Sequence, residues 1–504
     1  VSNPLKKLAG QTVVYGLGTI LPRFLNYFLT PILTRAFMPA EYGIHSELYA
    51  YISFLNIVFA YGMETTFFNF NSRLENKKTV FSTAFLTIAS STVALSLLLL
   101  GMRSWISEVL STENAMYSLT FISWCIGIIA TDALMAIPFA RLRAENKALR
   151  FSLMKLTNVI VNFGLTLFFI KVCKPAFENQ EDNFYARLYD PLTGIGYCFL
   201  ANLLANVFSL LLLSGQLARL ELRIDKMLLR DMLRYTWPLL ILGFAGMINE
   251  TLDRIILKKL MVDKAEAQIA QGIYGACYKI AILMTIFIQA FRFAAEPFFF
   301  SRAKDKDSKK TYALVMKYFV IFCLILFLGT LLNLDWIKYL IAEPYWEGLK
   351  VVPILLLANL CLGVVYNLSI WYKLSSQTRY GAIISVTGAA VTVVINVLFV
   401  PAYSYVACAW ATLVAYGSMM VLSYVLGQKY YPIRYNLRAL GVYVVLGLLL
   451  YLFSKFFDGI PYTAVRILLN NLLILAFVWI VYKLEINNLK KLNTNGVTKS
   501  ENPQ

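Results

Sequence analysis

The sequence predicts an all-α integral membrane protein of about fourteen transmembrane helices, built as two six-helix lobes in parallel repeat plus two C-terminal helices. Three observations predict it. The 504 residues are 59% hydrophobic and only 15% charged, whereas a soluble domain is about a quarter charged, so lipid must solvate much of the surface. Apolar runs of spanning length recur along the whole chain. The first half of the chain also repeats in the second.

The runs fall at 9–35, 44–64, 79–101, 115–140, 148–171, 192–215, 235–260, 270–300, 312–333, 351–373, 381–400, 402–426, 437–456 and 463–483. Each approaches the roughly 17–25 residues a spanning helix needs, beyond the about 9–11 of a barrel strand. Only helices and closed barrels satisfy their backbone groups in lipid. The first run follows Lys6 and Lys7 and continues too far for a signal peptide, so it reads as an anchor helix. The stretch 217–234 mixes Leu220, Leu222, Met227, Leu228 and Leu229 with charge, and predicts an amphipathic cytoplasmic linker lying at the interface. The lobes are expected at 1–216 and 235–426, the last two helices at 427–486, and a polar, disordered cytoplasmic tail at 487–504.

Charge sets the orientation. With the N-terminus cytoplasmic, about 28 Lys/Arg fall in inner loops and tails and about 12 in outer ones, as the positive-inside rule requires. The net charge of +18 is therefore mostly topogenic, suited to anionic headgroups rather than nucleic acid. An even number of spans returns the C-terminus to the cytoplasm.

The repeat aligns at a single shift. Tyr42-Gly43 recurs as Tyr274-Gly275, 232 positions on; Glu64 falls on Glu296, Phe67-Phe68 on Phe299-Phe300, and Lys77-Lys78-Thr79 on Lys309-Lys310-Thr311. Six spans separate the copies, so both run the same way, related by an axis along the membrane normal. A cargo site between two rocking halves suits that arrangement; duplication that merely enlarges a scaffold is the plainer reading.

Charges inside the spans are costly, at about 2.5–3.5 kcal/mol each on insertion scales. Arg23 lies beside Pro22 in the first span. Asp132 is in the fourth and Lys155 in the fifth. The seventh holds Glu250, Asp253 and Arg254, and the eighth holds Lys279, Arg292 and Glu296. Glu250 with Arg254, and Arg292 with Glu296, are i,i+4 pairs on one face, which would serve equally as neutralised helix staples. Arg23 and Lys155 have no close partner in sequence. Basic residues lining a cavity suit an anionic head such as a diphosphate, and buried carboxylates suit coupling to H⁺ or Na⁺. Glu64, near a span end, is placed to snorkel. Pro22 and Pro31 interrupt the first span, Pro238 starts the seventh and Pro297 sits late in the eighth, permitting kinks.

Other classes find little support. The seven cysteines show no CxxC, and Cys173 and Cys198, flanking one outer loop, are the one pair placed for a bridge. One histidine, His45, excludes a poly-His metal site, so no cofactor is expected. No GxxxxGK[ST] is present, and the DxD at 305–307 lies in a basic loop. The 31 Tyr, 35 Phe and 8 Trp are mostly belt and packing residues; any that stack on sugars are not separable by sequence.

Several segments carry a family resemblance: LKKLAGQTVVYGLGTILPRFLNYFLTPILTR near the start, PAEYG (39–43), YGMETTFFNF (61–70), LRAENKALRF (142–151), INETLDRIIL (248–257) and QAFRFAAEPFFF (289–300). In order, over about residues 5–485, the chain resembles Wzx-type polysaccharide-biosynthesis flippases. That implies the multidrug/oligosaccharidyl-lipid/polysaccharide exporter (MATE-like) fold in the bacterial inner membrane. It implies flipping of an undecaprenyl-diphosphate-linked oligosaccharide, such as an O-antigen repeat unit, from the inner to the outer leaflet, beside membrane lipids, a polysaccharide polymerase and glycosyltransferases. Carried onto this chain, Arg23, Lys155, Arg254 and Arg292 are candidates for the anionic head, and Glu64, Asp132, Glu250, Asp253 and Glu296 for coupling or gating. The alternatives are a lipid II flippase or drug/cation antiporter of the same fold, or a membrane polymerase or glycosyltransferase, for which the outer loop 172–191 is short.

Overall fold

The computed structural model describes residues 21–497 apart from 23, 26, 112–116, 146, 219, 302–304, 306, 376 and 378. Arg23 therefore lies outside the described residues, as does the side chain of Glu296.

Fifteen helices carry the fold. The first half comprises α1 (Leu29–Ala36), α2 (Pro39–Ala60), α3 (Met63–Arg73), α4 (Lys77–Gly101), α5 (Arg103–Leu110), α6 (Leu119–Ala144), α7 (Ala148–Leu167) and α8 (Tyr197–Leu217). The second comprises α9 (Lys226–Leu260), α10 (Lys264–Ser301), α11 (Ser308–Leu331), α12 (Val352–Leu368) and α13 (Arg379–Tyr430). Two more follow, α14 (Leu437–Ser454) and α15 (Thr463–Val497). Ten of the described helical segments are long and apolar enough to cross a membrane. One of them, α13, contains the expected break between two spans: Pro401 lies inside it, and Ser404 adopts φ 50° with ψ −141°. By the same measure α2 and α9 fall short, because they carry the polar residues that face the molecular interior rather than lipid.

Side-chain caps mark several helix starts. Asn76 accepts from the Thr79 amide before α4, Asp225 from the Met227 and Leu228 amides before α9, and Asn436 from the Ala439 amide before α14. The Asp225 cap changes the expected linker. Residues 220–225 are not helical; they dock on the start of α4, where Glu221 N donates to Ser82 and Asp225 N to Thr83. From Lys226 the chain is already helical, so Pro238 sits inside α9 instead of starting it. Charged residues 226–234 form a helical stem, which an apolar-run reading cannot see. Similarly α15 continues to Val497, into the tail expected to be disordered. All seven cysteines are free, so Cys173 and Cys198 are not bridged.

The last two helices are pinned to α11 and to the turn that follows it by polar contacts. Glu485 pairs with Lys317 and accepts from Tyr443 at 2.5 Å, and Arg466 bonds Asp335 at 2.8 Å. Away from such contacts the outward faces are apolar: Leu97 and Leu98 on α4, Leu449 and Leu452 on α14, and Leu468 and Leu475 on α15 stand exposed, as lipid contact requires.

The two halves meet most closely where α2 crosses α10. Here the backbones nearly touch, because the crossing residues are glycines. A Cβ on Gly272 would overlap the Pro39 carbonyl, and one on Gly43 the Gln268 carbonyl. One on Gly275 would stand 2.5 Å from the Ser46 hydroxyl. Small residues at a helix crossing are the usual device for close packing in lipid. The repeated Tyr-Gly pairs thus face each other across the junction, as two same-way-up copies meeting near their axis should. Gly272→Leu is expected to lower the thermal unfolding midpoint in detergent, overpacking costing about 1–3 kcal/mol. Gly329→Ala, whose added Cβ meets nothing within 4 Å, should leave the midpoint unchanged. A Gly272→Leu protein melting with the wild type would contradict the crossing.

Candidate functional site

At the same end of the molecule the crossing is reinforced by a buried ion pair between the halves. Glu47 on α2 meets Lys258 on α9 at 3.2 Å, with their side chains 2% and 8% exposed. Lys258 also donates to the Leu110 carbonyl at 2.7 Å and to the Tyr117 hydroxyl at 3.2 Å. Tyr117 donates to Glu47 and lies 3.2 Å from the Gln268 side chain. Five residues from both halves thus share one dry polar knot. Sequence reading passed over Glu47 and Lys258 because each lies near a span end, where a charge normally reaches water.

Behind this seal lies a cavity of about 280 Å³ between the halves. The first half supplies Thr30 and Leu33 of α1, Tyr42, His45, Ser46, Tyr49 and Ser53 of α2, Asn162 of α7 and Asn202 of α8. From the second half come Arg254 of α9 with Gly275 and Lys279 of α10. Helix spacing explains the grouping: Arg254 lies one turn before Lys258, and Lys279 one turn after Gly275. Asn202 donates to the Tyr49 hydroxyl at 2.8 Å, and His45 packs between Tyr42 and Tyr49, so the first-half wall is set by neutral polar and aromatic groups.

The charged side chains that line this chamber are cations, with Asp253 just outside the lining, beside Arg254 on α9. No carboxylate lines it among the described residues. Arg254 lies 4.4 Å over the Tyr278 ring, and its Nε is buried without a hydrogen-bond partner in the described structure. Neither Arg254 nor Lys279 forms an ion pair among the described residues. Two cations held together in a confined, weakly screened space favour an anion between them.

The chain has known relatives by sequence and by fold. Residues 8–303 match the family model described as "Polysaccharide biosynthesis protein". The chain belongs to that family. Among solved structures it resembles the lipid II flippase MurJ in its inward closed conformation, with a TM-score of 0.68 and 16% identity over 94% of this chain and 100% of that one. An outward-facing multidrug resistance MATE transporter of the MOP superfamily follows at 0.60 and 13%, covering 85% and 96% of the two chains. Its inward-facing counterpart gives 0.54 and 12%, over 83% and 94%. No curated protein matches. The molecule is therefore a multi-pass, helical membrane protein of the polysaccharide biosynthesis family with the MurJ and MATE fold.

Within this family member, the residues singled out by sequence scatter. Of the candidates whose side chains are described, Arg254 alone lines the chamber; Lys279, recognised as an intramembrane charge but given no role, joins it. The Glu250–Arg254 staple does not form: Glu250 makes no ion pair or hydrogen bond among the described residues, and it lines a second cavity instead. Asp253 is buried, accepting from Tyr274 at 2.5 Å and from the Arg254 amide at 2.8 Å. Asp132 accepts from Asn206 at 2.9 Å and Asn56 at 3.3 Å inside the first half. Lys155 lies 4.3 Å over Phe139. Glu64 pairs with Arg143 at the opposite end from the seal, half exposed. Arg292 lies 4.8 Å over Tyr366, beside a small cleft with Asn367 and Lys373, about 20 Å along α10 from Lys279.

Removing one partner of a buried ion pair typically costs about 3–5 kcal/mol by stranding the other charge. Lys258→Met should therefore loosen the seal. A cysteine introduced at Ser46 should then react at least several-fold faster with a membrane-impermeant maleimide added from the seal side. Unchanged reactivity would show that the pair does not hold the seal.

Proposed function

We propose that this polysaccharide biosynthesis protein is a flippase that carries an undecaprenyl-diphosphate-linked oligosaccharide from the cytoplasmic to the periplasmic leaflet of a bacterial inner membrane, by alternating access between its two halves. The observation that carries the reading is the chamber behind the α2–α10 seal, with Arg254 and Lys279 and no carboxylate among its described lining. A diphosphate is the group such a chamber favours. The arginine fork matches phosphate oxygens in pairs, and lysine adds a movable point charge. The lipid tail remains in the bilayer, which the apolar outer faces adjoin.

The basic loops support the direction. They cluster at the end away from the seal, so by the positive-inside rule the seal would face the periplasm, and the far end, where Thr66 and Thr236 join the halves, would face the cytoplasm and part to admit cargo. Cargo built in the cytoplasm would enter there, bind the cations and leave once the seal parts. Asp253, next to Arg254 on α9, is the candidate carboxylate for H⁺ or Na⁺ coupling. Lipid II remains the alternative cargo with the same diphosphate. A drug/cation antiporter fits less well, because its cargo would meet two cations.

Arg254→Ala and Lys279→Ala should each reduce surface-polysaccharide export about tenfold or more, the loss expected for one charge-assisted hydrogen-bonding group worth about 1.5–3 kcal/mol. Protein level in the membrane should stay unchanged, and lipid-linked sugar should accumulate on the inner leaflet. Full export by both variants would refute the chamber as the cargo site.

A further inference from the structure

A second cavity, of about 400 Å³, is lined mostly by the second half and closed on one side by Ile57 of α2. Its chemistry differs. Four tyrosines line it, Tyr278, Tyr366, Tyr372 and Tyr416, together with the side chains of Asn249, Gln289 and Asn359 and the carboxylate of Glu250. The polar wall is held in place by its neighbours. Asn249 donates to the Ser385 carbonyl at 3.0 Å and accepts from Thr392 at 3.2 Å, and Tyr416 donates to the Asn249 carbonyl at 3.2 Å. Glu250, by contrast, is exposed to the cavity and makes no hydrogen bond or ion pair among the described residues. One turn before it on α9 is Gly246, where an added Cβ would meet nothing within 4 Å. The helix therefore leaves room beside the carboxylate.

Apolar rings, side-chain amides and a single carboxylate around a pocket of this size match a neutral, hydroxyl-rich ligand. A pyranose offers C–H groups on its ring faces for aromatic packing and hydroxyls at its rim to donate to a carboxylate or exchange hydrogen bonds with amides. A diphosphate would be repelled by Glu250 and drawn by Arg254. The partition between the two cavities is the Arg254–Tyr278 stack itself, with the guanidinium on the chamber side and the ring on the other. A diphosphate held at Arg254 would thus have its attached group beside Tyr278.

Resting on the flippase reading, we infer that the tyrosine-lined cavity of the second half is the sugar subsite, reading the first residue of the glycan while the Arg254–Lys279 chamber holds the diphosphate. The cavity then sets which glycan is accepted, and the chamber accepts any lipid diphosphate.

The test uses the full chain in nanodiscs and two kinds of probe: undecaprenyl diphosphate, and the same lipid carrying one glucose, galactose or N-acetylglucosamine. The wild type should bind at least one glycosylated probe about tenfold tighter than the bare diphosphate, the ratio worth about 1.4 kcal/mol. Gly246→Leu, whose Cβ would meet nothing within 4 Å, puts an apolar side chain into the cavity, and should abolish that preference while leaving undecaprenyl diphosphate binding within about twofold. Arg254→Ala should weaken every probe. Equal wild-type binding of bare and glycosylated lipids overturns the subsite and spares the flippase reading, whereas failure to bind undecaprenyl diphosphate at all overturns both. A preference that survives in Gly246→Leu also overturns the subsite. So does a Glu250→Gln variant that loses Na⁺ dependence and keeps full sugar preference, which would mark the cavity as a cation site.

Discussion

The contact between α2 and α10 governs the rest of the molecule. Three glycines let two helices from opposite halves approach until backbone meets backbone, and the Glu47–Lys258 pair is dry because that approach excludes water. Such a contact gains from close packing, and it loses most of that gain if displaced slightly, since dispersion and buried charge both fall off steeply with separation. On the proposed alternating-access reading, such a contact suits a junction with two discrete settings, closed or parted, better than a yielding hinge. The halves also meet past the far end of α2, where Thr66 of α3 and Thr236 of α9 share a buried hydrogen bond at 2.6 Å, and the chamber lies between these two contacts.

Charge is distributed to match. Four of the seven described side chains expected to carry function are satisfied locally: Asp132 by asparagines, Asp253 by Tyr274, Glu64 by Arg143 and Lys155 over an aromatic face. Arg292 lies apart over Tyr366, whereas around the Tyr278 ring charge is sorted by sign, with Arg254 and Lys279 lining one cavity and Glu250 the other. A ligand with a doubly charged head and a neutral, hydroxylated extension has the same ordering. Membership of the polysaccharide biosynthesis family is consistent with such a ligand.

The fold was largely legible in the sequence, and the site only partly. Span length and apolar content are properties of contiguous residues, so helices such as α4, α6 and α11 stand out directly. The parallel repeat was visible because Tyr42-Gly43 and Tyr274-Gly275 share one offset; that these pairs touch was not, since contact between halves leaves no mark along the chain. The i,i+4 rule placed Glu250 and Arg254 on one face correctly, yet the side chains diverge into different cavities. Helical stems such as 226–234 escaped notice because they are polar and helical at once. Glu47 and Lys258 were hidden by position, each resembling an interfacial charge until the opposite half closes over it. Lys279 was visible as a charge, but only the cavity shows what it faces.

On the flippase proposal, the seal must part for cargo to cross. Ser46 and Gly275 offer a direct test, because a Cβ on Gly275 would stand 3.1 Å from the Ser46 Cβ, close to the roughly 3.5–4.5 Å of a disulfide. A Ser46→Cys, Gly275→Cys protein should crosslink on mild oxidation, lose flipping of a fluorescent lipid diphosphate in proteoliposomes, and recover it on reduction. A fully crosslinked protein that flips at the wild-type rate would contradict the account.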